Sequence, residues 1–409
     1  MTQKIAVVGL GYIGLPTAAA IAAQGVPVVG VDVNETAVNA VNEGRIHIVE
    51  PDLDAVVAKA VADGMLTATT EMPAADVYMI AVPTPFLADR SADLSYVERA
   101  SKSVAAALSG GELVILESTS PPGTTELMAQ WVHEARPDLE PGSVLFAHCP
   151  ERVLPGQVLR ELRENDRIIG GLTPEATEKA AAVYRIFCVG ELLPTDAKTA
   201  EFVKLVENSF RDVNIAFANE LSLISDRLGI DVWHAIELAN HHPRVNILTP
   251  GPGVGGHCIA VDPWFIVAAA PEESRLIKTA REVNDHKPEW VLERAQALLA
   301  DKPGATAALL GLAFKKNIDD LRESPALEIA HELATRSADR QFVVVEPNVH
   351  EIPKALAGLG NVSLAGLDDA LAQADVVVLL VDHDEFAAVT SETLVGKAVL
   401  DTRGQWRDR

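Results

Sequence analysis

A single cysteine sits among glycines in GPGVGGHCIAVDPW, residues 251–264, four places ahead of an aspartate. A thiol attacks carbon only as the thiolate, which needs approach space and positive charge nearby. Gly253, Gly255 and Gly256 are expected to let the loop lie against a substrate, with Cys258 accessible at its tip. Two alternatives compete with a nucleophile. A buried core cysteine is common, but it leaves the glycines with little to do. A zinc site would draw on His241, His242, His257 and Cys258, which match no standard ligand spacing and have no second cysteine near them. The nucleophile accounts for more of the stretch, and no metal is expected.

The positive charge has a candidate source. Lys204, Asn208 and Arg211 lie at i, i+4 and i+7 in a segment without Gly or Pro, so they share one helical face. Two readings stay open for this stripe: a solvated face paired with Glu201 and Glu207, or a face confined by apolar neighbours and turned to a ligand. In the second case Lys204 stands ready for proton transfer, because a buried lysine gives up its proton more easily.

Near the start, Gly9, Gly11 and Gly14 form G-x-G-x-x-G around Tyr12 and Ile13, directly after a strand-like run and before a helical one. Glycines there let a backbone approach a pyrophosphate, whose charge suits the unpaired N–H groups of a helix N-terminus. Asp32 closes the next strand at the spacing expected of an acid that binds both ribose hydroxyls. Its charge repels a 2′-phosphate, and VNETAVNA after it holds no Arg or Lys, so NAD is expected over NADP. An NAD site and a nucleophilic cysteine on one chain suggest a particular economy. An alcohol is oxidised to an aldehyde, the thiol traps it as a thiohemiacetal, a second hydride leaves, and water releases an acid from the thioester.

Positioning these groups needs elements. Strand-like runs at KIAVVGL, VPVVGVD, DVYMIAVP, GELVILES and SVLFAHCP alternate with helical segments such as 96–108. That alternation implies a parallel sheet covered on both faces. A second alternation begins at ATAALLGLAF and continues through QFVVVEP, DVVVLLVD and KAVLDTR. Between them, residues 196–228 keep Phe202, Leu205, Phe210, Val213, Phe217, Leu221 and Ile224 at helical spacing. Such a helix is about 50 Å long, more than one small domain needs. The expected fold is α/β, with two Rossmann-like doubly wound lobes joined by a long central helix. The expected division is 1–195 for the NAD-binding lobe, 196–300 for a helical dimerisation region carrying the cysteine loop, and 301–409 for the second lobe.

Bulk composition agrees. The chain has 409 residues, 48% of them hydrophobic, which suffices for large cores. A formal net charge of −24 argues against nucleic acid or an anionic membrane as partner and implies an acidic, solvated surface. The 3 cysteines, Cys149, Cys188 and Cys258, suit free thiols in a reducing cytoplasm, with Cys149 and Cys188 in the core. The apolar stretch 5–31 is read as strand–turn–helix–strand, not as a membrane span or signal peptide.

Throughout its length the chain resembles the UDP-glucose/GDP-mannose dehydrogenase family. The resemblance is carried by VVGLGYIGLPTAAA, IHIVEPDL, IAVPTPF, ILESTSPPGTTE, CPERVLPG, KLVENSFRDVNIAFANELSLI, HHPRVNILTPGPGVGGHCIAVDPWFIV, REVNDHKP and GLAFKKNIDDLRESPALEIA, all in order. It implies that Cys258 is the thioester-forming nucleophile and Lys204 the proton donor and acceptor that steadies the oxyanion. Asn208 and Asp262 resemble the groups that position the substrate oxygen and the water, and Glu151 the acid assisting thioester hydrolysis. Thr84 and Thr119 match threonines bordering the nicotinamide, and Arg322 an arginine on the NAD phosphates. Arg152, Val153, Arg211, His241, Gly255, Phe314 and Lys315 would hold the UDP-sugar together with Lys204, Asn208 and Arg244, the last reaching in from a partner subunit of a homodimer. Where UDP-glucose members commonly carry lysine before the aspartate, this chain has Val261. With HHPRVNIL and CIAVDPWFIV, this shifts the expected substrate to UDP-N-acetyl-D-mannosamine, with UDP-N-acetylglucosamine and UDP-glucose as competitors.

Without the resemblance, blander roles stand beside these. Thr84 and Thr119 could cap helices, Glu151 could be a surface acid beside Arg152, and His241 and His242 could be exposed loop residues. Two rival functions are a two-electron dehydrogenase with a lysine base and a non-catalytic NAD-responsive module.

Overall fold

The apolar stretch 5–31 breaks into a strand β1 (Ile5–Val8), a helix Gly14–Ala22 and a strand β2 (Val28–Val31). The structure is a computed structural model that describes residues 3–48, 50–154, 156–256, 258–302 and 304–407. No helix among the described residues is long and apolar enough to cross a membrane. The chain divides into two compact units, Met1–Glu207 and Asn208–Arg409.

In the first unit the sheet continues with β3 (Leu66–Thr69), β4 (Val77–Ile80), β5 (Leu113–Leu116), β6 (Leu145–His148), β7 (Arg167–Gly171) and β8 (Leu192–Asp196). The strand order is β3-β2-β1-β4-β5-β6-β7-β8. β1 pairs in parallel with β2 and β4, Ile5 lying opposite Val28 and Val77. The order reverses at β1, so the C-terminal ends of β1 and β4 form the switch point where such sheets usually bind a ligand. The expectation of a parallel sheet holds through β6. β7 then runs antiparallel to β6, and β8 pairs in parallel with β7. Antiparallel additions at the edge of a parallel sheet are common, and the short runs RIIGG and LLPTD carry little alternation to announce them.

The second unit holds the five-stranded sheet β9 (Thr306–Leu310), β10 (Gln341–Val345), β11 (Val362–Leu364), β12 (Val376–Leu379) and β13 (Ala398–Asp401). Its order is β11-β10-β9-β12-β13, all parallel, with the reversal at β9. Both sheets are Rossmann-like, and the central strands of each are buried on both faces. Ile5 and Val7 of β1 enter one apolar cluster, Ala6 and Val8 another. In β9, Ala307 and Leu309 face one cluster, Ala308 and Leu310 another. Two-sided burial is why these strands read as unbroken apolar runs.

The long helix is Ala197–Leu228, 32 residues without Gly or Pro. Its burial pattern is inverted relative to an ordinary surface helix. Glu201, Lys204, Asn208, Asp212, Asn219 and Ser222 are buried, whereas Phe202, Phe210, Phe217 and Ile224 are exposed, Phe210 at 68%.

Candidate active site

The G-x-G-x-x-G turn is shaped by its own backbone. Gly9 has φ +94°, open to glycine, and a Cβ there would meet the Ala81 carbonyl oxygen at 2.5 Å. A Cβ at Gly14 would come within 1.8 Å of the Gly9 carbonyl oxygen, so the helix can start only this close to the strand end without a side chain. Gly11 is different: nothing described lies within 4 Å of its would-be Cβ, which leaves space above the turn. Ile13, with no side-chain acceptor, stands at the N-cap of helix Gly14–Ala22. In the first turn the Leu15 N–H donates to the Gly11 carbonyl at 3.2 Å and Pro16 has no N–H, so what the helix start offers an anion is chiefly the positive end of its dipole. Asp32 is held by the backbone N–H groups of Leu10 (2.8 Å, to Oδ2) and Asn34 (2.8 Å, to Oδ1). A carboxylate offers about four acceptor positions, so capacity is left for two ribose hydroxyls. These residues fit a dinucleotide. Tyr12 is exposed and Ile13 half-buried beside the turn.

At the ends of β4 and β5, the Thr84 hydroxyl donates to the Thr119 carbonyl at 2.6 Å, and Ser118 bridges both backbone groups of Val82 at 2.9 and 2.7 Å. The structure brings the two threonines together. Neither caps a helix, since Ser95–Ala105 starts from Leu94 and Thr124–Ala135 from Gly123.

Glu151 is buried, not a surface acid. Its Oε2 accepts from Arg167 Nη1 and Nη2, both at 3.0 Å, and its Oε1 from the Arg152 N–H at 2.6 Å. Arg167 stacks against the rings of Tyr184 and Phe187 at 5.1 and 5.5 Å. Tyr184 in turn donates to Glu117 Oε1 at 2.7 Å. Burial, with the charge of Glu151 adding to it, pushes the Glu117 carboxyl up to about 7. Cys149, beside Arg167, is pushed up to about 12 by burial and is a core thiol, as is buried Cys188. Sequence reasoning missed Glu117, Arg167 and Tyr184. The available signal was an acid inside the apolar run GELVILES, where burial on both faces leaves no solvent for a charge.

On the long helix, Lys204 and Asn208 lie one turn apart and are both buried, 8% and 7% exposed. Arg211 is exposed, so the stripe does not stay together. The acids weighed as its partners go elsewhere. Glu201 accepts from the Gly123 N–H at 2.5 Å and from Thr125 through N–H (2.7 Å) and hydroxyl (2.6 Å), capping helix Thr124–Ala135. Glu207 pairs with Arg152 at 2.7 Å. Arg152 is thereby engaged in the first unit, with half-buried Val153 next to it packed on the core.

Within the second unit, Asn208 donates to Asp262 Oδ2 at 2.5 Å, both residues buried. The N–H groups of Val261 and Asp262 donate to the Cys258 carbonyl at 3.2 and 2.9 Å, so exposed Cys258 sits in the turn that opens helix Asp262–Ala269. A helix N-terminus favours a thiolate. The glycines before it have a packing role that the sequence did not announce. A Cβ on Gly255 would lie 2.7 Å from the Glu323 carbonyl oxygen and 2.8 Å from Phe314 Cβ, and one on Gly253 would lie 2.9 Å from Pro325. The loop is thus pressed against its own chain at Gly253 and Gly255, and this close approach brings Gly255 and Phe314 together. His257, weighed as a zinc ligand, lies outside the described residues; among those described, no group of His, Cys, Asp or Glu is arranged to hold a metal.

A cavity of about 280 Å³ opens where the second sheet reverses, lined by Gly253, Phe314, Lys315, Lys316 and Arg403 among others. Sequence reasoning singled out Phe314 and Lys315 but not Lys316 or Arg403. Arg403 follows β13 and pairs with Asp382 at 2.9 Å; a basic residue just past a strand's C-terminal end was the signal. His241 and Arg244 are exposed after helix Val232–Asn240, with the Arg244 N–H donating to His242 Nδ1 at 3.3 Å. Arg322, expected on NAD phosphates, is turned onto Asp320 at 2.6 Å.

The UDP-glucose/GDP-mannose dehydrogenase family model matches in three parts: its NAD binding domain over residues 3–188, its central domain over 198–286 and its UDP binding domain over 308–408. The chain belongs to this family. Its cofactor is NAD, and it is an NAD-dependent nucleotide-sugar dehydrogenase. It is 57% identical to a UDP-N-acetyl-D-mannosamine dehydrogenase of Escherichia coli (strain K12), over 98% of this chain and 99% of that one. It is 56% identical to an NDP-N-acetyl-D-galactosaminuronic acid dehydrogenase of Ralstonia nicotianae, over 99% and 96%. The solved UDP-D-ManNAc dehydrogenase of Pyrococcus horikoshii is similar at a TM-score of 0.89 and 40% identity, over 99% and 96% of the two chains.

Proposed function

We propose that the protein oxidises the C6 hydroxyl of UDP-N-acetyl-D-mannosamine to the uronic acid, using two NAD and one water. NAD, when bound, supplies the hydride acceptor for each oxidation. The protein's residues do the rest. Lys204 takes the hydroxyl proton as the aldehyde forms. Cys258 adds to the aldehyde carbon as a thiolate, the oxygen gaining a proton to give a thiohemiacetal. After the second oxidation leaves a thioester, water guided by Asp262 and Asn208 adds to its carbonyl and the C–S bond breaks, with Glu151 assisting. The alcohol, one water and two NAD⁺ thus become one carboxylate, two NADH and three protons.

The observation that carries the covalent route is the Cys258–Asp262–Asn208 arrangement, with an exposed thiol one turn before a carboxylate locked to an amide. The sugar rests on the likeness to the E. coli enzyme; the Ralstonia relative favours an N-acetylgalactosamine-type sugar as second reading. The UDP part is assigned to the cavity with Phe314, Lys315 and Arg403, whose cations suit a diphosphate. Thr84 and Thr119 would border the nicotinamide, and Arg152, Val153, Arg211, His241, Arg244 and Arg322 keep their carried-over ligand roles as proposals. The three-part division at about 195 and 300 is supported by the limits of the matched family models. A homodimer through the long helix is supported by its exposed phenylalanines, and a cytoplasmic location by cysteines that are few, odd in number and unpaired.

NADH counting on purified protein tests the route, with UDP-N-acetyl-D-mannosamine, UDP-N-acetylglucosamine, UDP-N-acetylgalactosamine and UDP-glucose compared side by side. Two NADH per sugar are expected, and Cys258→Ala should form no uronate. One NADH per sugar, or undiminished acid from the variant, would remove the covalent step.

A further inference from the structure

The two units carry the same device at the same place in their sheets. After β1, Gly9 (φ +94°) donates to the Val31 carbonyl at 2.7 Å, the Leu10 N–H reaches Asp32 Oδ2 at 2.8 Å, and the Asn34 N–H reaches Oδ1 at 2.8 Å. After β9, Gly311 (φ +90°) donates to the Val345 carbonyl at 2.8 Å, the Leu312 N–H reaches Glu346 Oε2 at 2.7 Å, and the Asn348 N–H reaches Oε1 at 3.3 Å.

What differs is the remaining capacity of each acid. Glu346 Oε2 also accepts from the Ala313 N–H at 3.0 Å and His383 Nε2 at 3.1 Å, and Oε1 from Asn348 Nδ2 at 3.5 Å. A carboxylate has about four acceptor positions, so Glu346 is filled from within and has nothing left for a ribose. Burial alone would raise its carboxyl, but His383 and the backbone donors outweigh this and hold it below the usual range. His383, fully buried, accepts the Asn317 N–H on Nδ1 at 2.9 Å, which leaves Nε2 to donate to Glu346. Asn317, in the left-handed region at φ +61°, is tied in turn to Asp384 by two hydrogen bonds, at 2.7 and 3.1 Å. Three backbone N–H groups of segment 312–317 are therefore held by one Glu–His pair, and between them stand Phe314 and Lys315.

We propose that Glu346 and His383 are positioning residues for the UDP part of the substrate, holding Phe314 and Lys315 in place through the loop backbone without touching the ligand. This acid has become a brace where its counterpart Asp32 keeps capacity for a ligand. The inference rests on the reading that UDP occupies the cavity beside Phe314 and Lys315.

Calorimetric titration of the full-length protein with UDP and with NAD tests it, alongside KM and kcat for the UDP-sugar. Glu346→Gln places an amide where three N–H donors converge on Oε2. His383→Asn keeps an acceptor for Asn317 but cannot reach Glu346, and it decides the matter should Glu346→Gln fail to fold. Losing charge-assisted bonds in the brace should weaken UDP binding and raise KM by about tenfold. NAD affinity should stay within about twofold and kcat at saturation within about threefold, because the ligand contacts themselves remain. Lys315→Ala and Arg403→Ala serve as controls. If both controls weaken UDP binding while the brace variants bind it normally, or if brace variants lose NAD and UDP alike, the proposal is overturned. If the controls leave UDP binding unchanged, it is the reading of the cavity that fails.

Discussion

Replacing Glu117 with glutamine should change how the stability of the first unit responds to pH. The carboxyl is 2% exposed and is pushed up from 4.5 to about 7, by burial first and by the charge of Glu151 second. A folded-state value raised this way means the native protein binds the proton more tightly than the unfolded chain. The associated stability is fully present below about pH 4.5, declines as pH rises toward 7, and is gone above it. At about 1.4 kcal/mol per pH unit, that window corresponds to a loss of about 3 kcal/mol in the wild type. Glutamine keeps an acceptor for the Tyr184 hydroxyl, now at 2.7 Å from Glu117, but cannot ionise. Glu117→Gln should therefore match the wild type near pH 5 and exceed it by about 2–3 kcal/mol at pH 8. Urea unfolding of NAD-free protein at both pH values, followed by amide hydrogen exchange in peptides covering β5–β7, reads this unit alone. An effect of equal size at both pH values, or a variant less stable than wild type at pH 8, would refute the claim that burial makes this charge costly.

Two further outcomes are expected. Phe210→Glu combined with Phe217→Glu places charges on the exposed apolar face of the long helix, and sedimentation should show the proposed dimer become a monomer at micromolar concentration; an unchanged mass would exclude that face. Gly14→Ala sets a methyl 1.8 Å from the Gly9 carbonyl oxygen and should weaken NAD binding by at least about tenfold through the forced shift of the turn, whereas unaltered titration would show that the helix start does not need the close approach.

Much was legible in the residues themselves. The apolar runs at β1, β4, β5, β9 and β12 announce buried parallel strands because both of their faces need partners. The spacing of Gly9, Gly11, Gly14 and Asp32 reports a local backbone device, so it survives without knowledge of the rest of the chain. The antiparallel β7 and the short β11 were not legible, since an edge strand of few residues depends on what lies beside it.

Charge partners were the least legible part. Helical spacing placed Lys204, Asn208 and Arg211 on one face, yet only the packing buries the first two and exposes the third. Glu201 and Glu207 look like neighbours for that lysine in the chain, but they reach Thr125 and Arg152, residues far away in sequence. The same holds for Glu117, whose neighbours Tyr184 and Arg167 are assembled from separate elements, and for Glu346, filled by His383.

By itself the sequence determined two doubly wound sheets, a dinucleotide turn and a cysteine set before an aspartate, because each depends on residues close along the chain. Only the tertiary structure decided which acids are braces and which are free for ligands, why the cysteine loop needs its glycines, and that the long helix turns its phenylalanines outward. Those outcomes depend on which distant side chains occupy a group's hydrogen-bonding capacity and surroundings, and spacing along one chain carries no record of that.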